Sequence, residues 1–534
     1  MGAQGNQYAR AVTIDNVGNV YTTGTFMGQV DFDPGPGVAW LYAWTNDAFV
    51  CKFNSTGNFI WAKKFDGIQY EEGTSIAVDK NGNVYTTGTF KDTCDFDPGP
   101  STFKLYPAGN EDAFIVKLDT SGSLVWAGQL GGISQDKGLS IAIDSLGNVL
   151  TCGSFMNSGD FDPGLGSTIL TSPGSDVQGY VCKFNSNGLL LWARGIGGAM
   201  YDECLSVCSD HYANVIVSGY FGGTADFDSG PGTYTLNSAG DEDAFICMFD
   251  PVGNIVWVKK MGGIKGDVAK SVTTDKFGNI FACGSFIGTA DFDPGPGSFN
   301  LTSKGATDIF LAKLDSAGNF LWAKSIGGPA SDIGCSVAAD PVGGVYMAGL
   351  YTGTVDFDPG PAVNQLNTFV TFYGFVCKFN SSGGFGWAFQ TCQSVVNTGE
   401  NAIYSVAGDT HFNVYATGYI MYHCELGMGN NADTLDTAGG ADIFVMKLGD
   451  LFTGIEELTA MDVEFSVYPI PTKSELIVEV KGEPINLCIV DVIGKEHFKI
   501  VDVRGTVNID ISVLTGGVYF IKFGDKSVKK ILIE

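Results

Sequence analysis

The feature that most restricts what this chain can fold into is a unit of about 65 residues that returns seven times, because a period of that size belongs to stacked repeats, propellers and arrays. One turn position marks the period: Asn19, Asn83, Asn148, Asn214, Asn279, Gly344 and Asn413, separated by 64, 65, 66, 65, 65 and 69 residues. A second marker is a tryptophan at Trp61, Trp126, Trp192, Trp257, Trp322 and Trp387, six for seven units.

Each unit holds four short runs rich in Val, Ile, Phe, Tyr and Thr, bounded by Gly, Asn, Asp and Ser, the pattern of short strands joined by tight turns. In the second unit these include Ser75-Ile-Ala-Val, Val84-Tyr-Thr-Thr-Gly-Thr-Phe90, Asp112-Ala-Phe-Ile-Val-Lys-Leu118 and Leu124-Val-Trp-Ala127. Two turns are spelled Asp/Asn-x-x-Gly, as from Asp79 to Gly82 and from Asn54 to Gly57; the acid or amide bonds the turn backbone and Gly supplies a positive φ. These acids are turn formers. Four-stranded units repeated radially make a β-propeller, and seven fall within the usual range of blades. Small residues at the centre of the first run, Ala77, Ala142, Cys208, Thr273, Ala338 and Ala407, suit crowding near a common axis. A linear solenoid, the competing arrangement, has shorter rungs. The sequence predicts an all-β, seven-bladed propeller of four-stranded blades over 1–449, with units near 1–66, 67–131, 132–197, 198–262, 263–327, 328–391 and 392–449.

Met1 to Val12 aligns without gaps to Met261 to Val272, so the chain starts just after the place of a Trp strand. The seventh unit, ending at Leu448, lacks that strand. The expectation is that the natural protein extends upstream, signal peptide included, and that the missing strand closes the ring; without it, a raw sheet edge is left.

The 74 glycines serve the turns, and 44% hydrophobic residues suffice for a large core. Fifty-eight acidic against 30 basic residues leave a charge of −28, which argues against nucleic acid or an anionic membrane as partner and favours solubility or cation binding. No run is long and apolar enough for a transmembrane segment. Of the 13 cysteines, Cys51, Cys182, Cys247 and Cys377 share one strand position, and Cys152 and Cys283 another, which reads as small buried thiols. Cys204 with Cys208 and Cys392 with Cys424 are the pairs open to bonding, and no Cys/His spacing suggests zinc.

Between the second and third strands lies Asp31-Phe-Asp-Pro-Gly-Pro-Gly37, repeated at Asp95, Asp160, Asp226, Asp291 and Asp356; the seventh unit has Cys424-Glu-Leu-Gly-Met-Gly429 instead. This connection shares a rim with the blade-to-blade connection, where Asp136, Asp202, Asp267 and Asp332 fall, so one rim is expected to be densely acidic. Two readings stand. Paired carboxylates before a Gly turn resemble the start of calcium loops, giving Asp31, Asp33, Asp95, Asp97, Asp160, Asp162, Asp226, Asp228, Asp291, Asp293, Asp356 and Asp358 as candidate metal ligands and calcium as the candidate cofactor. Alternatively, the carboxylates bond loop amides while Phe anchors the loop between blades.

Catalysis requires residues that break the repeat, and these are few: His211 and His411 in turns, and His423-Cys424-Glu425 in the atypical loop. No Ser/His/Asp set or carboxylate pair assembles, so no catalytic residue is assigned.

After Leu448 the period stops. Residues 450–464 read as a linker, and 465–534 as a small domain of short strands, an immunoglobulin-like β-sandwich by its spacing. Val467-Tyr-Pro-Ile-Pro-Thr472, Val490-Asp-Val-Ile-Gly-Lys495, Leu514-Thr-Gly-Gly-Val-Tyr-Phe-Ile-Lys522 and Lys529-Lys-Ile-Leu-Ile533 resemble the C-terminal sorting domain of the Bacteroidetes type IX secretion system, with Ile470 where that family usually has Asn. The repeats resemble the SBBP-type propeller repeats of secreted Bacteroidetes proteins, with Asp-Phe-Asp-Pro-Gly-Pro as hallmark. These resemblances imply export across the outer membrane, the type IX machinery as partner, removal of the last domain, and a secreted or surface location. The expectation is a binding, adhesion or structural module for an extracellular protein or glycan, not an enzyme; the alternative is a polysaccharide-active propeller enzyme.

Overall fold

The computed structural model describes residues 5–173, 176–230, 232–368, 372–391, 400–426, 433–449, 464–468, 474–491, 496–514, 517–523 and 527–533. The chain divides into two compact units, Met1–Leu448 and Gly449–Glu534.

Local turn chemistry sets the strands of the first unit. In the second repeat the Asp79 carboxylate accepts the amides of Asn81 and Asn83 at 2.8 and 3.0 Å, the Gly82 amide donates to the Asp79 carbonyl at 2.9 Å, and Gly82 sits at φ 81°. That closed loop fixes the register of Glu71–Val78 against Val84–Phe90, and the outer pair Asp112–Leu118 and Leu124–Gly132 completes an antiparallel meander. The same order of strands recurs through the repeats up to Phe385–Gln390, and the last repeat contributes Ala402–Gly408, Val414–Leu426 and Asp433–Leu448.

The first strands stand side by side in sequence order. Gln7–Ile14 lies beside Glu71–Val78, then Lys137–Ile143, Asp202–Ser209, Asp267–Thr274, Ile333–Ala339 and Ala402–Gly408, which lies beside Gln7–Ile14 again. A serine hydroxyl on six of the seven strands accepts an amide from the next: Ser75 from Ile141, Ser140 from Val207, Ser206 from Val272, Ser271 from Val337, Ser336 from Val406, and Ser405 from Val12, at 3.1–3.2 Å. The one position without a hydroxyl is Ala11. These strands surround a channel of about 440 Å³ lined by residues such as Val12, Ile76, Ile141 and Val337. Close approach of first and second strands explains the repeated glycine of the second strand: a Cβ at Gly88 would lie 1.9 Å from the Glu72 carbonyl oxygen, and one at Gly284 1.8 Å from that of Val268.

Between repeats the sheets bury clusters built from both neighbours. Phe281, Leu311 and Ile326 of one repeat pack with Val337, Met347, Phe375 and Cys377 of the next. Cys51, Cys152, Cys182, Cys247, Cys283 and Cys377 are fully buried free thiols within this packing, Cys204 and Cys208 are free, and Cys424 is disulfide-bonded while Cys392 lies outside the described residues. At the outside, five of the six repeat tryptophans reach the next repeat: the indoles of Trp61, Trp126, Trp192, Trp257 and Trp322 donate to the turn carbonyls of Thr120, Ser186, Pro251, Ser316 and Ser381 at 3.2–3.4 Å.

The hydrogen-bonded sheets depart from seven separate four-stranded ones. Five have four or more strands, with six, six, ten, four and four, beside a two-stranded and a three-stranded sheet. The cause is pairing between repeats: in the first four the end of the fourth strand pairs with the next repeat's second-strand extension, Gly67 with Cys94, Gly132 with Gly159, Gly198 with Ala225 and Gly263 with Ala290. Ladders therefore run on from one repeat into the next.

The C-terminal unit also departs from its expectation. Its described strands form one five-stranded antiparallel sheet, not a sandwich of short strands. Two runs read as separate merge into Glu475–Asp491, and Glu496–Asp510 pairs along it with breaks in register that let both bend. Leu476, Val478, Leu487 and Ile489 are buried with Val503, Ile509 and Ile521. The expected linker 450–464 lies outside the described residues except Glu464.

Replacing Trp257, 8% exposed, by Ala is expected to cost about 3–5 kcal/mol in equilibrium denaturation, because a large ring and its inter-repeat hydrogen bond are lost together. Exposed Lys80→Ala should stay within about 0.5 kcal/mol, and equal effects for the two would contradict packing of the Trp strand between repeats.

Candidate functional site: the acidic rim

The six Asp-Phe-Asp loops are superimposable in their bonding. In the first, the Oδ1 of Asp31 accepts the amides of Asp33 and Ala39 at 3.1 and 2.8 Å, and the Oδ1 of Asp33 accepts the amide of Gly35 at 2.8 Å. Asp95 and Asp97, Asp160 and Asp162, Asp226 and Asp228, Asp291 and Asp293, and Asp356 and Asp358 repeat the same three bonds. Phe32, Phe96, Phe161, Phe227, Phe292 and Phe357 are fully buried beneath them. Phe96 meets Phe90 and Phe114 of its own repeat and Phe65 of the preceding one, at 5.4, 5.0 and 5.3 Å between ring centres. A loop held by its own carboxylates and pinned by an aromatic ring keeps its Pro-Gly tip exposed. Among the described residues no three His, Cys, Asp or Glu side chains converge as a metal-binding group.

Asp136, Asp202, Asp267 and Asp332, expected on the acidic rim, are instead completely buried beneath it. Each ties two repeats together. Asp136 accepts the amide of Gly132 from the preceding repeat at 2.7 Å and that of Met156 from its own at 3.2 Å, and Asp267 does the same with Gly263 and Ile287 at 2.7 and 3.3 Å. A second buried acid comes from the start of the preceding repeat's third strand, Asp112 beside Asp136, Asp243 beside Asp267 and Asp308 beside Asp332; sequence reading missed these. The glycine ending the fourth strand makes room: a Cβ on Gly262 would lie 2.5 Å from Asp243 and 2.9 Å from Asp267. In the second repeat Glu71 replaces the first-strand Asp, beside Asp47, and both its carboxyl oxygens lack a partner.

Burial, reinforced by the neighbouring acid, pushes Asp136 and Asp267 up to about 7, and burial with the Asp47 charge pushes Glu71 up to about 9. Asp202 is pushed up to about 7 and Asp332 to about 6, again chiefly by burial. The turn acids behave oppositely: burial alone would raise Asp79, but hydrogen bonds from Asn83 and neighbouring amides bring it below its ordinary value. Asp15 and Asp409 share that arrangement.

Among the described residues the repeat breakers stand apart from one another. His211 is exposed and stacks on Tyr212 at 3.7 Å, and His411 is exposed on its own turn with its amide bonded to Asp409 at 2.8 Å. The side chains of His423 and Glu425 lie outside the described residues. A different break in symmetry was passed over in the sequence: Trp40, Tyr42 and Trp44 alternate along the outer half of Trp40–Phe53, 55, 42 and 85% exposed, while Ala43 between them is buried. The equivalent segments elsewhere, such as Asn300–Thr302 and Gln365–Asn367, carry no such aromatic row. The signal was there to be read, as aromatics at every second residue of a strand.

Residues 466–534 match the family of secretion system C-terminal sorting domains, and residues 66–89 match the SBBP beta-propeller repeat. The chain therefore carries a β-propeller repeat joined to a type IX sorting domain, which marks it for export to the cell surface or the extracellular space. It is 23% identical over 469 residues to an uncharacterized WD repeat-containing protein of Acanthamoeba polyphaga mimivirus, across 73% of this chain and 33% of that protein. It is 24% identical over 214 residues to the regulatory protein FlaEY of Caulobacter vibrioides, across 38% and 22% of the two chains. The chain thus spans a third or less of the length of these curated relatives. Among solved structures it is similar to Sqt1 from Chaetomium thermophilum, with TM-score 0.38 and 10% identity over 82% of this chain and 83% of that one. Among the described residues no helix is long and apolar enough to cross a membrane.

The two sets of acids bound the pH range of stability. Raised acids stabilise the fold fully below their unfolded values of 3.8 or 4.5 and lose that contribution as pH rises from there through about 7, or through about 9 for Glu71; lowered turn acids lose theirs as pH falls below 3.8. The melting temperature should therefore peak near pH of about 4 and fall toward pH 8, with Asp267→Asn flattening the alkaline limb. A melting temperature still rising from pH 6 to 8 would contradict the buried pairs.

Proposed function

We propose that the exported chain is a binding module on a seven-bladed propeller, and that its ligand is a polysaccharide laid along Trp40, Tyr42 and Trp44. The count of seven rests on the first strands, which follow one another in a closed circuit, and on the serine-to-amide bonds that link them. The observation that carries the binding role is the aromatic row. Tyr42 and Trp44 sit edge to face at 4.9 Å, and the buried Ala43 and half-buried Leu41 hold the strand from beneath. Side chains on one face of a strand recur about every 7 Å, so the row offers flat apolar faces in series. That suits a chain-like ligand whose units each present an apolar ring face, and a rigid row of aromatics loses little entropy on binding.

In this reading the six Asp-Phe-Asp loops frame the rim, with calcium confined to carboxyl oxygens outside their amide bonds, and the C-terminal unit engages the type IX machinery and is then removed. Affinity electrophoresis through gels of soluble polysaccharides tests the ligand. At least one polysaccharide should retard the chain, and Trp40→Ala with Trp44→Ala should abolish the retardation without changing the melting temperature. Equal retardation of the variant would refute the aromatic site, and release of new reducing ends would favour a polysaccharide-active enzyme.

A further inference from the structure

Two buried carboxylates at one junction need something positive between them, and the junction of the third and fourth repeats shows where it fits. There Gln178 holds the strand position that Asp112, Asp243 and Asp308 hold in their own repeats, each opposite a phenylalanine of the second strand. The Nε2 of Gln178 donates to the Gly198 carbonyl at 2.6 Å and to the Oδ2 of Asp202 at 3.2 Å, with the Met200 carbonyl at 3.5 Å. This side chain is 3% exposed, so an amide donor fills a closed nest of oxygens.

At two other junctions the same nest faces a carboxylate oxygen. Asp112 and Asp308 are fully buried, and the Oδ2 of each is in use: that of Asp112 accepts the Ala108 amide at 3.0 Å and the Gln129 Nε2 at 2.6 Å, and that of Asp308 accepts the Lys304 amide at 3.0 Å and the Ser325 hydroxyl at 3.3 Å. Their Oδ1 atoms are buried and have no hydrogen-bond partner. The carbonyls equivalent to that of Gly198 point the same way: the Gly132 oxygen lies 2.7 Å from where a Cβ on Gly109 would stand, and the Gly328 oxygen 2.4 Å from one on Gly305. The facing acids are Asp136 and Asp332. Each of their oxygens takes a single amide, in Asp332 from Gly328 at 2.8 Å and from Thr352 at 3.0 Å, which leaves lone pairs free.

Lysine neutralises the comparable pairs elsewhere. Lys64 reaches Asp47 at 3.0 Å and Lys260 reaches Asp243 at 3.1 Å, but Gln129 and Ser325 hold the lysine's strand position beside Asp112 and Asp308. The charge of Lys304 is felt by Asp308 and Asp332, yet its side chain is exposed. Buried charge without a countercharge is costly, and a buried oxygen without a partner points to a water or an ion.

We propose that Asp112 with Asp136, and Asp308 with Asp332, each hold one hard divalent cation of calcium size, with the carbonyls of Gly132 and Gly328 as further ligands. Such cations take about six to eight oxygens, and water completes the shell. Two carboxylates and a main-chain oxygen make up each protein contribution, so no third acid is needed. The ion ties neighbouring repeats as the Gln178 amide does between the third and fourth. Both sites use none of the carboxylates of the Asp-Phe-Asp loops, and neither depends on the ligand of the aromatic row.

Calorimetric titration of calcium chloride into the chelator-stripped full chain tests this. The parent should bind calcium and gain melting temperature on saturation, because the ion binds the folded state alone. Asp112→Asn with Asp308→Asn puts an amide where Gln178 has one, so this double variant should fold, bind two fewer ions than the parent, and lose most of the calcium-dependent gain. Asp112→Asn alone should bind one fewer, which supplies a reading even where the double variant does not fold. The inference is overturned if the parent takes up no calcium at millimolar concentration, if the Asn variants bind as many ions as the parent, or if Asp33→Asn with Asp97→Asn removes the ions instead and so places them in the loops.

Discussion

Crowding of first strands around one narrow channel is the constraint on which the rest of this structure depends. Each strand must stand close to two others, so its central side chains are small, and the second strand beside it must carry glycine where a Cβ would strike a carbonyl. The amides that face a neighbouring repeat find serine hydroxyls. A buried amide without an acceptor costs on the order of 1–3 kcal/mol, so the serines are as necessary to the packing as the apolar clusters between sheets. Repetition follows directly: a unit that satisfies its neighbour's amide must itself be followed by one that does the same.

Farther from the axis the repeats diverge, and different devices hold them. Buried acids at the rim bond amides from two repeats at once, the ends of fourth strands pair with the next repeat's hairpin, and tryptophans seal the outside. Each device couples neighbours only, which is the usual arrangement in repeat proteins. Because the scaffold is fixed by features shared among repeats, what is particular to this chain lies where the sharing stops, as in the aromatic row of the first repeat. That row lies on a surface that a rigid frame presents without needing it to form part of the frame.

Much of this was legible from residue order. The Asp-x-x-Gly turns, the four-strand order, the buried cysteines and the Phe anchors each follow from local rules with a fixed spacing, and the sorting domain from four motifs in order. The fusing of sheets was not legible, because Gly67 and Cys94 pair only once the repeats have been brought together. Nor was the burial of Asp136 and its partner Asp112: an acid before a strand reads as a surface residue until the amides of Gly132 and Met156 are seen to converge on it. In the C-terminal unit, the polar stretch between Val480 and Leu487 reads as a turn between two strands, whereas the backbone bends through it as one strand.

Closure of the first-strand circuit is the central claim, and it is made where Val12 donates to Ser405 across 393 residues of chain. Hydrogen exchange of individual amides tests it most directly. If the circuit is closed, the Val12 amide exchanges within about tenfold of its counterparts Val207, Val272 and Val337, which lie inside the array. Exchange of Val12 at the rate of a frayed terminus, with the internal amides still protected, would contradict it.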